Sequence, residues 1–122
     1  MRRVVVTGVG AVTPVGNDIP AMWRSLLDGR SGVTRISRFD PAPFASQIAG
    51  EVKGFDPSGY LSPKELKRTE RFVQFAVAAA KQAMTDAGLD VGKEDPFRFG
   101  VLIGCGMGSL GLIEQQQTVF LQ

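Results

Sequence analysis

Residues 99–111 read FGVLIGCGMGSLG. The first five form a nearly continuous apolar run, the pattern of a strand buried on both faces, as in a parallel sheet covered by helices. The run breaks into a glycine-rich turn, Gly104-Cys105-Gly106-Met107-Gly108-Ser109. Leu110, Leu112 and Ile113 then open a helix toward the end of the chain. A strand that delivers a glycine turn to a helix start predicts an α/β protein. It also predicts function at that turn, because glycines let the backbone approach a ligand and the bend projects side chains past the strand end.

Downstream of the turn, Ile113, Val119 and Phe120 need something to bury them, so the chain reads as cut short. Upstream, residues 86–96 form a connecting loop. Before it, residues 62–87 predict one long helix. Ser62-Pro-Lys-Glu65 is a capping box with proline at the first helical position, and Gly88 supplies the stop. Leu66, Val73, Ala76, Val77, Ala80, Ala83, Met84 and Ala87 share one face at about 100° per residue. At roughly 1.5 Å per residue such a helix would run about 40 Å and cross the domain. Lys64, Lys67, Arg68 and Arg71 lie opposite that face, in the first turns. Cations there oppose the helix dipole at roughly 0.3–1 kcal/mol each, offset in part by Glu65 and Glu70. Two readings fit: a solvated helix face, or a docking patch for an acidic partner.

At the other end, Val4-Val5-Val6 predicts a first buried strand feeding a turn. Gly8-Val9-Gly10 is like the opening of a dinucleotide fingerprint, but Thr13 and Pro14 stand where a third glycine and the helix start belong. Asn17 or Asp18 can cap a short helix with Pro20 in its first turn. Met22, Trp23, Leu26 and Leu27 give it a buried stripe, and Gly29 ends it. Residues 30–60 are irregular, with turn signals at Asp40-Pro41 and Asp56-Pro57, and a short strand within residues 48–52.

The whole chain has 122 residues, 43% hydrophobic and 21% charged, with 15 glycines, 7 prolines and a net charge of +2. That is one domain's worth of chain, long enough for a core. So mild a charge does not point to nucleic acid, and no apolar stretch is long enough to span a membrane. One cysteine excludes an internal disulfide and fits a reducing, cytoplasmic setting. Histidine is absent. That removes Cys-His, Ser-His and His-ligated metal arrangements from these residues. No metal or organic cofactor is implied.

Gly106-Met-Gly108-Ser-Leu-Gly111 matches G-x-G-x-x-G between strand and helix, so a Rossmann-type nucleotide module is one alternative. Cys105 stands near a helix start but has no base to activate it, and reads as a small semi-buried turn residue. Met107 is either core filler or a flexible wall of an apolar pocket.

Four stretches together resemble the N-terminal part of the β-ketoacyl-acyl-carrier-protein synthases, most closely the type II branch. They are VVVTGVGAVTPVGND before and at Asp18, LLDGRSGV at residues 26–33, the ERF-Q-A and DAGL patterns between Glu70 and Leu89, and IGCGMGSLGLIEQ at residues 103–115. The resemblance implies a thiolase-like fold, layered α/β/α/β/α, of which residues 1–122 are the N-terminal portion. It implies condensation of a malonyl thioester with an acyl chain held on an active-site cysteine, aided by two histidines. All three groups lie downstream in the family, so no catalytic residue maps onto these positions and Cys105 is not the nucleophile.

It further implies that Gly106, Met107 and Gly108 shape the acyl pocket. Relatives often carry isoleucine at the position of Met107. Lys64, Lys67 and Arg68 match basic residues that meet the acidic acyl carrier protein, while Pro63 replaces a residue that is often basic. The full-length protein is then expected to be a homodimer, without nucleic-acid or membrane partners. A non-catalytic ketosynthase-like partner, keeping fold and pocket but lacking the cysteine, is the remaining alternative.

Overall fold

The computed structural model describes residues 3–122. In chain order it holds helix α1 (Ile19–Leu27), strands β1 (Val33–Arg35) and β2 (Ile48–Gly50), helices α2 (Pro63–Leu66) and α3 (Arg71–Asp86), and helix α4 (Leu110–Phe120). Short 3-10 turns stand at Pro57–Gly59, Val91–Lys93 and Pro96–Arg98. The mixture of helix and strand agrees with the α/β class.

Helices α1, α2 and α4 each begin where a side chain satisfies one of the first free N–H groups. Asp18 accepts from the N–H of Ala21 at 2.7 Å, with Pro20 in the first turn. Ser62 and Glu65 form the expected capping box around Pro63. Ser109 accepts from the N–H of Leu112 and starts α4. β1 and β2 pair antiparallel, Thr34 opposite Ala49.

The single long helix expected over residues 62–87 is two helices. The Thr69 hydroxyl donates to the Glu65 carbonyl at 2.8 Å, the acceptor that the Thr69 N–H would have used. The Gln74 amide then donates to the Thr69 carbonyl at 2.9 Å. Glu70 is extended, with φ −74° and ψ 160°, before α3 begins. The 16 residues of α3 therefore span about 24 Å rather than 40 Å.

α3 is the axis of what packing there is. Residues 8–11 lie across it so closely that a Cβ on Gly10 would meet the Ala79 carbonyl oxygen at 2.0 Å, and one on Gly8 the Ala83 oxygen at 2.3 Å. Polar side chains of α3 hold this segment. The Val9 N–H donates to Asp86 Oδ2 at 2.9 Å and the Ala11 N–H to Gln82 Oε1 at 3.1 Å. The Gln82 amide donates in turn to the Asn17 carbonyl and to the Tyr60 hydroxyl. Phe55 packs edge-on to Phe75 of α3 at 5.1 Å and stacks with Tyr60. The contacting face thus runs through Phe75, Ala78, Ala79, Gln82 and Ala83, with Ala78 fully buried. It is rotated from the expected face, of which Ala80 is exposed.

Three other expectations are corrected. Val4–Val6 and residues 99–103 do not form strands, and Val4 and Leu102 are 92% and 99% exposed. A strand exists only as a ladder with a partner, and among the described residues neither segment has one. The stripe of α1 is uncovered, with Trp23, Leu26 and Leu27 all exposed. Leu61 and Ala78 are the buried apolar core side chains among the described residues.

Candidate functional site

The glycine turn ends in an ordered cap. Gly108 adopts φ +68°, a left-handed conformation that glycine takes without steric cost. Its N–H donates to Cys105 Sγ at 3.2 Å, closing the turn on itself. The thiol is unpaired and exposed. Gly104 and Gly106 have open space where a Cβ would stand. Met107 projects from the apex and is 71% exposed.

Lys64, Lys67 and Arg68 gather around α2, all exposed. The break at Glu70 changes their setting. Lys67 is the C-cap of the one-turn α2 and Arg68 follows it, so both stand in the link before α3 rather than inside a helix. Among the described residues, none of the three joins an ion pair. Arg71 differs. Its guanidinium donates to the Val52 carbonyl at 3.0 Å and covers the Phe75 ring at 5.0 Å. Arg71 is therefore committed to packing, and the free basic patch is Lys64, Lys67 and Arg68.

The patch is pinned by its own cap. Glu65 accepts from the Ser62 hydroxyl at 2.6 Å and the Ser62 N–H at 2.8 Å. These bonds, the hydroxyl's first, hold its carboxyl below the ordinary glutamate range, and the charge of Lys81 adds to them.

Turn and patch meet through two residues that pattern reading did not single out as a pair. The Ser109 hydroxyl donates to Glu70 Oε2 at 2.8 Å. Beside this bond lies a groove of about 440 Å³, lined by Arg38, Arg71, Phe72 and Phe75 on one side and residues 108–112 on the other. Ser109 precedes the expected helix start, the position where a serine can cap. Its partner, 39 residues away, was not legible. Among the described residues no cluster of three His, Cys, Asp or Glu side chains could hold a metal. No helix among them is long and apolar enough to cross a membrane.

The family model for the beta-ketoacyl synthase N-terminal domain matches residues 1–122. This chain belongs to the beta-ketoacyl synthase family. It is 48% identical over 120 residues to 3-oxoacyl-[acyl-carrier-protein] synthase 2 of Synechocystis sp., covering 98% of this chain and 29% of that protein. It is 48% identical over 121 residues to the enzyme of the same name from Vibrio cholerae, covering 99% and 29%. The chain thus spans under a third of the length of these relatives. Among solved structures, the ishigamide ketosynthase/chain length factor matches with a TM-score of 0.65 and 40% identity, over 73% of this chain and 22% of that one. The thiolase-like expectation stands on that likeness. A ketosynthase N-terminal portion also accounts for the glycine turn without a Rossmann module.

Proposed function

We propose that residues 1–122 are the N-terminal portion of a 3-oxoacyl-[acyl-carrier-protein] synthase of type II fatty acid synthesis. The whole protein joins malonyl-carrier protein to an acyl chain by decarboxylative Claisen condensation. The observation that carries this is 48% identity, over nearly the whole chain, to synthases of that name. In this reading the described residues bind and position, and the groups that make the bond lie elsewhere in the longer protein. Lys64, Lys67 and Arg68 meet the acidic carrier protein. Their exposure and freedom from ion pairs suit a surface that gains on-rate from charge. Gly106, Met107 and Gly108 shape the acyl pocket, Met107 as its adaptable wall. The full-length enzyme works as a cytoplasmic homodimer, and the exposed apolar faces of α1, α4 and residues 99–103 are covered in it.

The test is condensation of acyl- and malonyl-carrier protein by the full-length protein. Release of carbon dioxide with formation of 3-oxoacyl product is expected. Carrier binding without condensation would instead identify a non-catalytic ketosynthase-like partner. For the docking patch, Lys67→Glu with Arg68→Glu should weaken carrier binding at least tenfold at low salt and flatten its salt dependence. Unchanged affinity and salt slope would remove the patch from the interface.

A further inference from the structure

We propose that the Glu70–Ser109 hydrogen bond is the tether that fixes the glycine turn, and Met107 with it, relative to the carrier-docking segment. Glu70 and Ser109 are then positioning residues for acyl-chain selection. The inference rests on the reading of Met107 as pocket wall and of Lys64, Lys67 and Arg68 as carrier contacts.

Among the described residues this is the one hydrogen bond that joins residues 99–122 to the remainder of the protein. Among the described residues no ion pair or strand ladder does so. The geometry is well suited to a joint. A serine hydroxyl carries one proton and two lone pairs. Ser109 spends the proton on Glu70 at 2.8 Å and a lone pair on the Leu112 N–H at 3.2 Å, so one atom both starts α4 and anchors it. The acceptor is a carboxylate, which makes the bond stronger than a neutral one. Glu70 makes no side-chain cap to its own helix, leaving that carboxylate to Ser109.

The covalent distances are short on both sides. Ser109 is two residues from Met107, across the left-handed Gly108. Glu70 is two residues from Arg68, in the extended link between α2 and α3. A displacement of the docking segment therefore reaches the turn through this bond, and loss of the bond loosens the turn against that segment.

The experiment uses the full-length enzyme and a series of acyl-carrier proteins of graded chain length, reading kcat/KM for each and KM for the carrier. Ser109→Ala and Glu70→Ala should each change the ratio of kcat/KM between a short and a long chain about three- to tenfold. The double variant should do no more than either single one, as for two ends of one interaction. Ser109→Thr, which keeps the hydroxyl, and Glu70→Gln, which keeps an acceptor, should stand close to the parent profile. Carrier KM should stay within about twofold throughout. Unfolding midpoints measured alongside separate tether loss from misfolding. An unchanged ratio in both alanine variants, additive effects, or failure of both conservative variants to restore the profile overturns the tether. If Met107→Ala leaves the profile unchanged, or Lys67→Glu with Arg68→Glu leaves carrier KM unchanged, the underlying reading fails instead.

Discussion

Gly10 and Gly29 look alike in the sequence and do different work. Gly10 is needed for space, because its missing Cβ leaves room for the Ala79 carbonyl of α3. That oxygen belongs to a helix backbone and cannot move aside cheaply. Gly29 is needed for conformation. Its φ is +67° with nothing near an added Cβ. Gly29→Ala should therefore cost only the left-handed penalty, about 1–2 kcal/mol. Gly10→Ala should cost more, by forcing residues 8–11 off α3 and breaking the bonds to Asp86 and Gln82. Thermal unfolding of the full-length protein decides between them, and equal losses would contradict the packing argument. Met107 belongs to this scale too. On the proposed role of Met107 as pocket wall, truncating it to alanine should broaden or lengthen the acyl chains accepted by the full-length protein, read from the product profile. Gly29 and the cap at Asp18 were visible from the sequence because their cause is local. The need at Gly10 is set by a helix about 70 residues away, and no pattern around Gly10 reports it.

At the scale of the element, caps were legible and continuity was not. Asp18, one of two candidate caps, and Ser62 each start a helix where spacing placed them, and α4 starts at Leu110 as its apolar residues suggested. The apolar period, however, carried one helix straight through residues 67–70. The backbone instead turns extended at Glu70, with the Gln74 side chain taking the Thr69 carbonyl, an event with no signature in hydrophobic spacing. That break matters to the site, because it takes Lys67 and Arg68 out of a helix and sets them, exposed, in the link between α2 and α3. Two measurements belong here. Asp18→Ala should lower stability by about 1 kcal/mol through loss of the N-cap, seen in denaturant unfolding at constant m-value. Glu65 supplies a pH dependence of definite sign. Its folded-state carboxyl titrates below the ordinary glutamate value, so its contribution is fully present above that value. It is lost as pH falls through the lower folded value. Ser62→Ala should therefore destabilise at neutral pH, and the difference from the parent should shrink in acid, below the ordinary glutamate range. A difference that persists unchanged into strong acid would show that the Ser62–Glu65 bonds are not its source.

Over the whole molecule the decisive quantity is surface. The chain exposes 9991 Å², against about 6,400 Å² for a compact monomer of its mass. The apolar side chains were placed by the sequence on α1, on α4 and in residues 99–103, and the structure keeps them there without cover. What could not be read locally is what they face, because burial is a relation between distant segments. The surplus is consistent with a chain that spans 29% of its synthase relatives. It also sets how residues 1–122 should behave when produced alone. Apolar surface on this scale seeks other apolar surface, at about 25 cal/mol per Å² removed from water. The isolated chain should bind a hydrophobic dye such as ANS strongly, sediment as a concentration-dependent mixture of oligomers, and lack the sharp near-ultraviolet signal of a fixed Trp23 environment. The full-length protein should bind little dye and show that signal. A monodisperse, dye-silent monomer of residues 1–122 with a cooperative unfolding transition would mean that these apolar faces close on one another. In that case the glycine turn and the basic patch would have to be placed afresh.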